Sequence, residues 1–332
     1  MITHMSQKNN IKLYPDRVNH AIYEKAVGEL NWSVGMTSLN EQKYLQWFAR
    51  DLYEGKGMIV ELGCWLGSLT QALCRGLESN SSISEKCGRI QVFDLFKWEH
   101  NMEDTCKAFN LPCSGRYLDG DDYKALYEEV MQAHLPLLSV TRADLSSAMC
   151  RLGAIELLIV DAMKYEALCD NISRQFYPSL IEGKSYLIHQ DFMHFYESWV
   201  HISAYRLRDY IAPVYEVLDA GSFVFKCLRA PPGNLLGFEK SIAEVEDSEI
   251  DAAYDWAIGL LDPRTRNVLA AAHTMAYVHK KDFSRAIDLY AAYRKEYPAE
   301  TSLTPSYYQF DHMREYCVRF GFIADWPDLP SL

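Results

Sequence analysis

The sequence predicts a doubly wound α/β sheet followed by a helical C-terminal region, and three observations carry that prediction. Short apolar runs alternate with helical stripes from residue 58 to residue 227, which is the pattern of a parallel sheet wrapped on both faces. An acidic residue stands at or near the carboxyl end of each of five runs: Glu61, Asp94, Asp144, Asp161 and Asp191. The last two β-rich runs flank Ala220-Gly221-Ser222, which reads as a hairpin turn.

The elements follow in order. Residues 1–37 read as an irregular, partly helical lead-in. Ser38 and Glu41 then stand in capping-box spacing, and Leu45, Phe48, Ala49 and Leu52 form a helical stripe behind them. "MIVELG" is a first strand, "SLTQALCRGL" a helix, and "RIQVFDLF" a second strand. "DDYKALYEEVMQAH" is a helix, with "LDGDDY" as the loop into it. "LLSVTRADLSSA" is a third strand, "AIELLIVDAMKY" a fourth, "CDNISRQFYPSLIEG" a helix and "KSYLIHQDF" a fifth strand. "ESWVHISAYRLRDYIA" is a helix before the closing hairpin. Prolines and glycines between residues 230 and 248 mark a crossing loop, and everything beyond it is helical in pattern. "RNVLAAAHTMAYVHKKDFSRAIDLYAAYRKEYP" is a helix–turn–helix pair resembling one unit of a tetratricopeptide array, too short to stack into a solenoid. The expected divisions are a lead-in over 1–37, a main domain over 38–229 and a helical extension over 230–332.

Composition narrows the partners. The 332 residues are 49% hydrophobic, enough for a sizeable core. A net charge of −12 argues against nucleic acid or an anionic membrane as the main partner and leaves small molecules. Nine scattered cysteines without a C-x-x-C pair argue against a zinc site or a disulfide framework. The polar N-terminus and the lack of an apolar stretch of about 18 residues predict a soluble, cytoplasmic protein. The C-terminal helices are the expected contact in any homo-oligomer.

The turn after the first strand carries the chemistry. It reads Glu61-Leu62-Gly63-Cys64-Trp65-Leu66-Gly67 and opens a helix at Ser68. The glycine spacing is not the G-x-G-x-x-G that cradles a pyrophosphate. Glu61 just before the turn would repel such an anion and attract a sulfonium or ammonium. "VELGCWLGSLT" resembles the first motif of class I S-adenosylmethionine-dependent methyltransferases. That resemblance implies a Rossmann-like sheet of seven strands with the last antiparallel. It further implies cofactor contacts from Glu61, Gly63, Gly67 and Asp161, with Asp94 on the ribose and Asp144 near the adenine amine. Trp65 is expected either against the methionine portion of the cofactor or in the core under the sheet edge, and Ser68 either on the cofactor carboxylate or as a helix cap.

"FDLF", "IVDAMKYEA" and "YLIHQDF" are similar to the macrocin O-methyltransferase branch, which methylates sugars on natural products. Members of that branch hold magnesium with D-x-D-x-Y after the fourth strand and an Asp-Asp pair after the fifth. Here the first stretch reads Asp161-Ala162-Met163-Lys164-Tyr165 and the second Gln190-Asp191. Asp161, Gln190 and Asp191 are therefore the candidate oxygen ligands of a divalent cation, with one carboxylate replaced by an amide. A small-molecule hydroxyl needs either a base or a metal to lose its proton. Asp161 and Asp191 are expected to hold the acceptor, with His189 or His194 as the base, although alternation along "LIHQDF" can instead turn His189 into a helix. The alternative reading is a regulatory or scaffold protein that binds the cofactor without chemistry.

Overall fold

The computed structural model describes residues 33, 35–233, 241–304 and 308–323. Most of the expected lead-in, residues 1–32 and 34, and residues 234–240 of the expected crossing loop lie outside that set. The first described helix, α1 (Leu39–Trp47), continues through a π turn over Phe48–Leu52. Its start is the expected capping box: Glu41 N–H donates to Ser38 Oγ (3.2 Å) and Ser38 N–H to Glu41 Oε2 (2.8 Å).

The strands are β1 (Met58–Leu62), β2 (Ile90–Asp94), β3 (Leu138–Arg142), β4 (Ile155–Val160), β5 (Tyr186–His189), β6 (Ile211–Glu216) and β7 (Phe223–Cys227). They form one sheet in the order β3-β2-β1-β4-β5-β7-β6. The first five run parallel, and β7 runs antiparallel to both β5 and β6. Between them lie α2 (Ser68–Ser79), α3 (His100–Ala108), α4 (Lys124–Val130), α5 (Glu166–Gln175) and α6 (Ser198–Arg206). The predicted helix through His134 stops at Val130 and continues as a 3-10 turn over Gln132–Leu137 that contains Pro136, whose ring cannot sit inside an α-helix.

Side-chain alternation splits the core into two layers. Ile59, Leu157, Ile159 and Ile188 face α1, α2 and α4. Val60, Leu62, Leu158, Leu187 and Phe225 face α5, α6 and the C-terminal helices. Those helices are α7 (Asp247–Leu260), α8 (Arg266–Lys280), α9 (Phe283–Glu296) and α10 (Gln309–Arg319). Ala253, Ala257, Leu269 and Ala272 belong to the same continuous apolar cluster as strands β4, β5 and β7, so the C-terminal helices extend the apolar layer on that side of the sheet, packing on α6 and, through Trp256, on Phe225 of β7. No helix among the described residues is long and apolar enough to cross a membrane.

Candidate functional site

The site lies at the carboxyl ends of β1, β2, β4 and β5, where loops rather than strands meet and ligands of doubly wound sheets bind. The turn after β1 is left-handed at Gly63 (φ 86°), Trp65 (φ 44°) and Gly67 (φ 80°). Gly63 has no room for a side chain, since a Cβ there would sit 2.7 Å from the Asp161 carbonyl oxygen. At Gly67 a Cβ would sit 2.9 Å from Met131 Sδ and 3.0 Å from the Tyr127 ring. The glycines thus let the turn press against the end of β4 on one side and the α4 region on the other.

Glu61 is 1% exposed, because alternation along β1 points it at α2. Thr70 Oγ1 donates to its Oε2 at 2.6 Å, and the Tyr127 hydroxyl donates in turn to Thr70 Oγ1 at 3.3 Å. Burial pushes the Glu61 carboxyl up to about 8, opposed by the Thr70 bond and assisted by the charges of Asp161 and Asp94. Ser68, the first residue of α2, is buried and pairs with Thr37 Oγ1 at 2.8 Å.

Asp94 is saturated from within the chain. Its Oδ2 accepts from Cys64 N–H (2.8 Å) and Trp65 N–H (3.3 Å), and its Oδ1 from Phe96 N–H (2.6 Å) and the Tyr123 hydroxyl (3.1 Å). A carboxylate has about four lone-pair directions, so Asp94 fixes the glycine turn. The sequence reading did not assign it that role. Trp65 is buried, and its indole N–H has no partner among the described residues. Asp144 lies past the end of β3, where its carboxylate accepts from Ser146 N–H (2.9 Å) and Oγ (2.6 Å); these bonds hold it below the usual carboxylate range.

Asp161 and Asp191 come together from the ends of β4 and β5, but a lysine stands between them. Lys164 Nζ lies 3.2 Å from Asp161 Oδ1 and is hydrogen-bonded to Asp191 Oδ2. With its amide nitrogen turned to the carboxylates, Gln190 donates to Asp191 Oδ1 (2.9 Å) and Asp161 Oδ1 (3.0 Å). Burial raises the Asp161 carboxyl, and the Lys164 charge opposes that rise. These residues do not fit a divalent cation. Magnesium requires oxygen donors arranged octahedrally, whereas both carboxylates here face N–H groups. Among the described residues, no three or more His, Cys, Asp or Glu side chains are placed to hold a metal ion.

The two candidate histidines separate. His189, expected beside the acceptor, lies in the core at 1% exposure, because alternation puts it on the face of Leu187. Its ring is edge-on to Phe225, its Nε2 is 3.5 Å from the Tyr177 hydroxyl, and burial pushes it down to about 3. His194 stays near the mouth and is held at about 4 by burial and then by the charge of Lys164. The sequence reading missed Glu197. It precedes α6 without making a side-chain cap, and burial pushes it up to about 7 against the pull of Lys164. Nothing in "FYESW" distinguishes this glutamate from an ordinary helix-start acid.

No protein-family model matches the sequence, and no curated protein matches it. Among solved structures, the fold is similar to that of the O-methyltransferase NovP, at 13% identity over 65% of this chain and 91% of that one, with a TM-score of 0.44. It is also similar to coclaurine N-methyltransferase, whose structure holds N-methylheliamine and SAH, at 12% identity over 78% of this chain and 68% of that one, with a TM-score of 0.26. At these scores neither likeness bears on the site or the reaction.

Proposed function

We propose that the protein is an S-adenosylmethionine-dependent methyltransferase acting on a hydroxyl of a small molecule, a sugar or natural product by the resemblance given above. The observation that carries the reading is the reversed β7 inserted between β5 and β6. A nicotinamide-binding sheet would continue in parallel. When bound, S-adenosylmethionine supplies a methyl group on a sulfonium leaving group. The local residues suit such a ligand. Glu61 is a buried carboxyl without a charged partner among its hydrogen bonds, which a cationic ligand would favour in its ionised form. The buried Trp65 indole N–H, without a partner among the described residues, is a further donor in the turn after β1. A ribose hydroxyl reaching Asp94 would displace the longest of its bonds, that from Trp65 N–H.

The test uses purified protein and S-adenosylhomocysteine. Ligand at about a hundred times its dissociation constant stabilises a protein by about 2.7 kcal/mol, which raises the melting temperature by several degrees. NAD should give no shift. A protein that melts identically with and without millimolar S-adenosylhomocysteine ends this reading.

Of Glu197 and His194, both acted on by the Lys164 charge, Glu197 is the base better matched to neutral pH, since a proton acceptor works best with its pKa near the operating pH. His194, held at about 4, is neutral there but a weaker base. The base must be deprotonated, so methyl transfer should rise with pH through about 7 and level off above it. Glu197→Gln is expected to lower kcat by roughly a hundredfold or more and to abolish that rise. The measurement is S-adenosylhomocysteine release across pH over a panel of hydroxyl acceptors. A Glu197→Gln profile that keeps the same rise assigns the base elsewhere.

A further inference from the structure

We infer that Lys164 is a resident cation of the site: its ammonium takes the position between Asp161 and Asp191 that a divalent ion would fill, and its remaining N–H meets the acceptor's oxygen. The first half stands on geometry alone. Lys164 is carried on the loop between β4 and α5, reaches across to the end of β5, and touches one carboxylate from each strand end. The Gln190 amide nitrogen closes the ring by donating to the same two carboxylates. Two carboxylates brought together repel each other unless a positive charge or shared donors lie between them, and here the chain supplies both. A metal ion could enter only if the ammonium left, because the two would compete for the same oxygens.

The second half rests on the methyltransferase reading. An ammonium has three donors and no acceptor. Asp161 and Asp191 occupy two of them, and the lysine side chain is 44% exposed. One donor therefore remains at the mouth, beside His194 and Glu197, on which the Lys164 charge acts. A metal ion can bind two neighbouring hydroxyls of a diol at once, whereas a single N–H binds one oxygen. The acceptor class that follows is a molecule held by one hydroxyl or phenolic oxygen at this point, without chelation.

The experiment titrates Mn²⁺ alone, followed by proton relaxation, into the full chain without other ligands. Wild type should show weak binding. Lys164→Met keeps the aliphatic stem and removes the charge, and it should bind Mn²⁺ at least about tenfold more tightly. Adding Asp191→Asn should abolish the gain. Far-ultraviolet dichroism verifies that the variants fold, and Lys164→Gln serves if the Met variant does not. Wild-type binding as tight as that of Lys164→Met overturns the resident-cation half. S-adenosylhomocysteine calorimetry separates the rest. Affinity equal in wild type and Lys164→Met supports placement on the acceptor side, and a loss of more than about tenfold in the variant overturns it. If wild type fails to bind S-adenosylhomocysteine while the Mn²⁺ results hold, the methyltransferase reading falls, the acceptor half falls with it, and the resident cation stands.

Discussion

Asp94→Ala is expected to cost about 3–5 kcal/mol of stability and to abolish binding of S-adenosylhomocysteine. The carboxylate accepts from three backbone N–H groups and one tyrosine hydroxyl, in bonds of 2.6 to 3.3 Å. A hydrogen bond to a charged group contributes roughly 1.5–3 kcal/mol, and a buried donor left unpaired costs about as much as it gained. Water can rescue part of this, since the residue is half-buried, so the sum is smaller than four full bonds. Without Asp94 the N–H groups of Cys64 and Trp65 lose their anchor, and the left-handed turn keeps only the backbone bonds at its two glycines, Gly63 N–H to the Phe93 carbonyl and Gly67 N–H to the Cys64 carbonyl (both 2.8 Å). Asp94→Asn keeps one accepting oxygen and should lose roughly half as much. Urea denaturation gives the midpoints, and an Asp94→Ala protein with the wild-type midpoint refutes the anchoring role.

Glu61→Gln should change how stability depends on pH. The folded protein holds the Glu61 proton up to about 8, against an ordinary value of 4.5. A group whose pKa is raised on folding contributes stability that is fully present below the unfolded value and is lost as pH rises through the folded one. A displacement of this size corresponds to roughly 4–5 kcal/mol at most. Wild type should therefore lose melting temperature between pH 5 and pH 9 more steeply than Glu61→Gln, which keeps an acceptor for Thr70 and has no proton to lose. At pH 9 the variant should be the more stable of the two. The same variant should bind S-adenosylmethionine weakly, because the buried negative charge is gone. Wild type should release close to one proton on binding it at pH 7, read by calorimetry in buffers of different ionisation enthalpy. Parallel pH curves for the two proteins would show that Glu61 does not carry this linkage.

Much of the sheet was legible because each strand is a short apolar run with a turn signal after it, and β4, buried along its whole length, is the plainest case. The hairpin at Gly221 and the capping box at Ser38 are local chemistry and read directly. Helix α3 was not legible: its nine residues, "HNMEDTCKA", bury only Met102 and Cys106, too few to make a stripe. The site was legible as a set of acids at strand ends, but not as a set of contacts. The anchoring role of Asp94 was not legible, because the sequence does not show that three backbone N–H groups converge on it. Lys164 was not legible at all, since it stands at an unspecified position of the D-x-D-x-Y motif and its second partner, Asp191, lies 27 residues away in the turn after β5. His189 was ambiguous for one reason: a single step of alternation decides between the cleft and the core, and Leu187 settles it only once the faces are known.

The apolar cluster shared by β4, β5, β7 and helices α7 to α10 sets the size of the portable unit. A chain cut after β7 would remove Trp256 of α7 from the Phe225 ring it stacks on, at 6.3 Å, and would uncover the apolar residues of α6 that pack against the tail, a patch that invites aggregation. Grafting, shuffling or directed evolution on this scaffold has to carry the tail along with the sheet. Substitutions in the tail will reach the strand ends through the packing between them.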